Sequence, residues 1–137
     1  MARRKLSHEG TLVLDSEGLL KLLADNEQVV ALIAEARSRG MEVVISALTI
    51  IEAFHARTNA SRLNWVLSGL RVVPVGDEEA RAASKLLMNA GLNGHRYAID
   101  AAVAEAALRQ HRPVVMLTSD VDYMAKLCGD RVRLVAV

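Results

Sequence analysis

Five short apolar runs punctuate the chain, each cut off abruptly by charge, glycine or a turn. They are "TLVLD" (residues 11–15), "MEVVIS" (41–46), "RVVPV" (71–75), "PVVMLT" (113–118) and "RVRLVAV" (131–137). Runs this short and rich in Val, Ile and Leu read as buried strands. Between them apolar positions recur at helical spacing. Helices are expected over 16–23, 27–39 (closed by Gly40), 48–56 continuing to Gly69, "GDEEARAASKLLMNAG" (76–91, capped by Asp77 and ended by Gly91), after the loop "LNGHR" through "YAIDAAVAEAAL" (97–108), and over "SDVDYMAKLCG" (119–129). Residues 1–10, "MARRKLSHEG", carry no periodicity and read as a flexible arm, leaving 11–137 as a single domain.

Strands alternating with helices predict a three-layer α/β/α sandwich around a parallel sheet. Strands one, two and four are continuously apolar and so central. Pro74 inside strand three and the alternation opening strand five mark both as edges. The order 3-2-1-4-5 satisfies these constraints with right-handed crossovers and places the topological switch point between strands one and four. Asp15 ends strand one there, and "TSD" (118–120) ends strand four.

The chemistry enters through two misplaced acids. Asp100 lies in the first turn of an Ala-rich helix whose neighbours at i+3, i+4 and i+7 are Val103, Ala104 and Ala107, and Glu52 lies one turn into "LTIIEAFHA" after strand two. A carboxylate on an apolar stripe is costly unless something neutralises it. Asp15, Glu52, Asp100 and Asp120 can converge from distant segments, and no Lys or Arg stands out as their internal counter-charge. Crowded carboxylates call for a hard divalent cation, Mg2+ or Mn2+.

Composition narrows the rest. At 137 residues and 52% apolar the chain is globular, and no apolar run is long enough to span a bilayer. It shows no signal-peptide core, so a reducing cytoplasm is the expected compartment. One cysteine, Cys128, excludes an internal disulfide and a Cys-rich zinc site. Net charge is +1, carried by 13 Arg and 4 Lys, and the only aromatics are Phe54, Trp65, Tyr97 and Tyr123. A base-stacking platform is thereby excluded; nucleic acid would be held through backbone charge. Plainer readings exist for each acid: Asp15 as a helix cap, Asp120 and Asp122 favouring a helix dipole, Glu52 pairing with His55 or Arg57. His55 reads as a helix-surface residue, His95 as a loop residue, Cys128 as a small packed hydrophobe, and Trp65 as core or a dimer patch.

"LVLDSEGLL", "TIIEAFH", "HRYAIDAAVAEAAL" and "LTSDVDYMAKL" resemble, in order and spacing, the motifs of PIN-domain ribonucleases, with the closest likeness to the toxins of VapBC-type toxin–antitoxin modules. The resemblance spans residues 12–137. It implies Asp15, Glu52, Asp100 and Asp120 as the catalytic acids and Asp15, Asp100, Asp120 and Asp122 as metal ligands, with Ser16 and Thr118 as supporting hydroxyls. It departs from the family at "DSEG" and at Asp122–Tyr123, neither of which removes an acid. The implied activity is Mg2+- or Mn2+-dependent hydrolysis of RNA phosphodiesters, with Asp15 and Asp100 holding the main ion, Glu52 orienting the nucleophile or ligating through water, and Asp120 and Asp122 recruiting a second ion. Arg57, Arg62, His95 and Arg96 are candidates to grip the RNA backbone. A small antitoxin and a homodimer are the implied partners. Two alternatives stand beside this: a catalytically silent PIN-like interaction module, and a phosphoacceptor receiver domain, for which strand five lacks a following lysine.

Overall fold

The computed structural model describes residues 9–55 and 57–137. The expected arm falls on residues 1–8, outside the described residues, apart from Glu9 and Gly10. Five strands, β1 (Thr11–Leu14), β2 (Glu42–Ser46), β3 (Arg71–Val73), β4 (Val114–Thr118) and β5 (Arg133–Ala136), form one parallel sheet in the order β3-β2-β1-β4-β5. The apolar strands are central and the two irregular ones are edges, as their compositions require. This order also removes the phosphoacceptor alternative, whose flavodoxin-like sheet runs 2-1-3-4-5.

Side chains alternate across the sheet and sort into two cores. Val13, Val44, Val114 and Met116 face α5 (Asp77–Ala90), α6 (Gly94–Leu108) and α7 (Val121–Cys128). Leu12, Leu14, Val43, Ile45 and Leu117 face the opposite layer of α1 (Ser16–Leu23), α2 (Glu27–Ser38), α3 (Thr49–Ala53) and α4 (Ala60–Ser68). The alanines at 101, 102, 104, 106 and 107 are almost fully buried. With no side chain beyond Cβ, they let α6 lie close to both the sheet and α5. Burying each larger Val, Leu or Ile contributes roughly 1.5–3 kcal/mol, so both faces of the sheet are strongly committed.

Caps account for most helix starts. Asn26, Asn59 and Asn93 accept amide hydrogens from Val29 (3.1 Å), Arg62 (2.9 Å) and His95 (2.7 Å). Several boundaries differ from the sequence reading. The helix expected over 48–56 and onward is broken: α3 stops at Ala53, Phe54 turns to an extended conformation, and α4 restarts behind the Asn59 cap. Asp77 is not the cap of α5; Gly76 is, with its amide donating to Glu79 Oε1 at 2.7 Å, while Asp77 pairs with Arg81. Because Asn93 caps α6 so early, His95 lies in the helix, and Asp100 sits three residues beyond a kink at Tyr97 instead of in the first turn. His55 lies past the end of α3, where its Nδ1 accepts the amide of Arg57 at 3.2 Å. Pro74 ends β3 from just outside it.

Candidate functional site

β1 and β4 pair side by side, Leu14 beside Leu117, so the residues leaving their carboxyl ends emerge together. Asp15 donates its amide to Leu117 O at 3.2 Å. Its side chain then turns inward, caps α1 by accepting the Gly18 amide at 3.0 Å, and is only 3% exposed. Burial raises its pKa. Hydrogen bonds from the Thr118 hydroxyl and from the Gly18 and Glu17 amides oppose that rise, and the charge of Asp120 adds to it. The cap reading of Asp15 is therefore correct as far as it goes, but the cap is a buried carboxylate.

Asp120 occupies the cap position of α7, yet its side chain makes no capping hydrogen bond. Its amide donates instead to Thr118 Oγ1 at 2.9 Å. Thr118 is fully buried between the two acids. Asp100, half-buried on α6 above Val103 and Ala104, has its pKa pushed up to about 6. Burial is the largest cause, followed by the charges of Asp120, Glu52 and Asp15. The carboxylates from β1, α3, α6 and the β4–α7 turn thus lie within electrostatic reach of one another. Glu52 is exposed on α3, one turn beyond Thr49, whose hydroxyl is buried with no hydrogen-bond partner. Asp122 is exposed on α7, and Ser16 is half-buried at the start of α1.

Five ion pairs form among the described residues, and they use Glu35, Asp25, Glu42, Asp77 and Glu105. None uses Asp15, Glu52, Asp100, Asp120 or Asp122. Among the described residues, no three Asp, Glu, His or Cys side chains stand close enough to form a ready-made ligand cage. The carboxylates repel one another, and none is paired with a cation among the described residues. A donor set of hard oxygens fits Mg2+ or Mn2+, because Mg2+ keeps several waters and is commonly bound through one or two carboxylates. Asp15, Asp100 and Asp120 are the residues that would supply them.

The basic candidates divide. Arg96, on α6, lies with its guanidinium 5.3 Å from the centroid of the Tyr97 ring, and Tyr97 feels the charge of Asp100. His95 is exposed beside it. Arg57 and Arg62 line a separate cavity of about 230 Å³ with Leu20 and Ala53. Arg62 is engaged there, paired with Asp25 at 2.7 Å and lying 5.5 Å from the ring of Trp65. Trp65 itself is 70% exposed, not core. It borders a groove of about 510 Å³ between α2 and α4 that Val30, Ile33 and Val66 also line.

Three contributors escaped the sequence reading. Gly18 supplies the amide that holds Asp15, and the i, i+3 spacing of Asp15 and Gly18 was its available signal. Tyr97 and Tyr123 meet with ring centroids 4.7 Å apart across α6 and α7, a long-range pairing with no local signature.

No protein-family model matches this sequence, and no curated protein matches it. Solved structures do match in fold. The chain superposes on VapBC2 from Rickettsia felis, solved bound to a promoter DNA fragment, with a TM-score of 0.70 at 15% identity, covering 93% of this chain and 98% of that one. A toxin–antitoxin complex from Klebsiella pneumoniae gives 0.66 at 14% identity over 89% and 95%. FitAcB from Neisseria gonorrhoeae gives 0.62 at 20% identity over 90% and 96%. At these identities the likeness concerns the fold, and the fold is PIN-like.

Proposed function

We propose that this protein is a Mg2+- or Mn2+-dependent ribonuclease and the toxin of a toxin–antitoxin pair. The observation that carries the proposal is the raised pKa of Asp100: burial, and then the charges of Asp120, Glu52 and Asp15, oppose its ionisation, and none of the four acids has a cationic partner among the described residues. Maintaining four uncompensated acids costs stability, and a bound divalent ion recovers that cost. A divalent ion held there supplies electrostatic stabilisation for phosphodiester hydrolysis and a lowered pKa for attacking water.

The residues of the chain have distinct parts in this reading. Asp15, locked by Thr118 and Gly18, is a fixed carboxylate with no rotamer freedom left to lose. Asp100, on α6 within electrostatic reach of Asp15, is largely ionised near neutral pH and would lend its charge to the ion. Asp120, free of capping duty and tied to Thr118 through its amide, would add a further carboxylate. Glu52, exposed on α3, would orient a water or accept a proton, and Asp122 adds negative charge on α7. Arg96 and His95, exposed on α6 ahead of Asp100, would meet an incoming RNA backbone. The superposition on toxin–antitoxin structures favours a small antitoxin partner, and the open apolar groove beside Trp65 gives a protein partner a surface to cover. A homodimer and a cytoplasmic setting complete the proposal; no helix among the described residues is long and apolar enough to cross a membrane.

Incubation of the purified, partner-free protein with mixed-sequence RNA and Mn2+, with and without chelator, tests the proposal. Chelator-sensitive cleavage that disappears in Asp100→Asn supports it. Absence of cleavage leaves the silent interaction module as the better account.

A further inference from the structure

We infer that Arg96 and Lys126 form a two-pronged clamp for the backbone phosphates of single-stranded RNA, mounted on the Tyr97–Tyr123 pair beside the acid cluster. Arg96 lies 5.3 Å from the centroid of Tyr97, and the Lys126 ammonium lies 5.4 Å from the centroid of Tyr123. The two rings are 4.7 Å apart, tilted by 41°, and their hydroxyls are hydrogen-bonded to each other. Side chains from α6 and α7 thus make a continuous sequence of cation, ring, ring and cation.

Both rings are anchored in the core beneath α6 and α7, Tyr97 buried and Tyr123 partly so. Both cations are exposed, and neither takes part in an ion pair among the described residues, although Asp122 stands one turn before Lys126 on α7. A ring holds a cation by its face and leaves the N–H donors unused, which is the state a phosphate-binding group requires. The location supplies the reason. An RNA strand approaching four carboxylates is repelled unless positive charge receives the phosphates on either side of the scissile one, and contacts of this kind fix register without reading sequence. The acids supply no such charge, and Arg62 is already bound to Asp25. Arg96 was legible as a backbone contact; Lys126 and the tyrosine mount are new.

The inference rests on the ribonuclease reading, and two measurements keep them separable. The first is binding of a mixed-sequence single-stranded RNA to the full-length protein in chelator across a salt series. The second is steady-state cleavage in Mn2+. Lys126→Gln and Arg96→Gln are each expected to lower the slope of log affinity against log salt by about 0.7. Each should raise KM about five-fold while kcat stays within about two-fold, and Lys126→Arg should restore both. A purely structural Lys126, favouring the C-terminal end of α7 through its charge, would shift stability and leave slope and KM alone. An unchanged slope and KM in Lys126→Gln overturns the clamp even if cleavage is robust, and so does a parent protein that binds no RNA. A slope that falls in a protein that never cleaves upholds the clamp and sinks the nuclease instead.

Discussion

The hydroxyl of Thr118 is hydrogen-bonded to the buried carboxylate of Asp15 while it accepts the amide of Asp120 at 2.9 Å. One side chain at the end of β4 therefore fixes two acids at once, its proton committed to one and its lone pair to the other. Thr118→Val keeps the shape and removes both bonds. It is expected to cost about 1–3 kcal/mol, because Asp15 loses a donor in a buried setting, and to lower cleavage on the order of ten-fold or more. Thr118→Ser should retain most of both. Chemical denaturation and RNA cleavage rates check the pair; a Val variant with parental activity would show that the bridge plays no part in catalysis.

Asp100 titrates at about 6 in the folded chain against an ordinary 3.8. Between those values the folded state binds the proton more tightly than the unfolded one, so stability falls as pH rises from about 4 to about 6 and stays low above that. Asp100→Asn removes the charge. In chelator near neutral pH it should be more stable than the parent by on the order of 1–3 kcal/mol, the lower end allowing for solvent screening of a half-buried group. Below about pH 4 the difference should close. Denaturation curves at the two pH values decide it, and a variant no more stable at neutral pH contradicts the view that burial and neighbouring charge oppose the ionised Asp100.

Metal should act as the missing counter-charge. At about 100 times its dissociation constant, Mn2+ is expected to stabilise the parent by about 2.7 kcal/mol. Asp15→Asn and Asp100→Asn should lose most of that response. Thermal unfolding with and without Mn2+ provides the measurement, and an equal shift in all three proteins would place the ion elsewhere.

Gly18 is held against β4. A Cβ there would lie 3.3 Å from both Leu117 O and Leu14 Cβ, so Gly18→Val cannot be accommodated unless α1 backs away. The expected cost is about 1–3 kcal/mol. Cleavage should fall as well, because the amide that holds Asp15 moves with the helix. Gly18→Ala should be milder on both counts. Parental stability in the Val variant would mean that the helix can shift freely.

The strand order was legible because each strand's composition reports its own exposure: the apolar run of β1 demands neighbours on both sides, and Pro74 and the alternation near Arg133 tolerate an edge. The positions of Asp15 and Thr118 followed from that order alone. The setting of Asp100 was legible less well, since the start of α6 depends on Asn93 capping a turn whose geometry is then broken at Tyr97. The break between α3 and α4 was hidden because "FHARTNA" contains neither Gly nor Pro, and only Asn59 signals the restart. The Tyr97–Tyr123 pair was out of reach for a different reason: it depends on how α6 and α7 pack, which no local pattern encodes.

If Asp15, Asp100 and Asp120 share a divalent ion, that ion can be located. Anomalous diffraction from a crystal soaked in Mn2+ is the decisive measurement. A strong anomalous peak is expected within ligand distance of the Asp15, Asp100 and Asp120 carboxylates, and none in Asp100→Asn. A peak at an unrelated surface site, or a clear map around these acids with no peak at all, would contradict it.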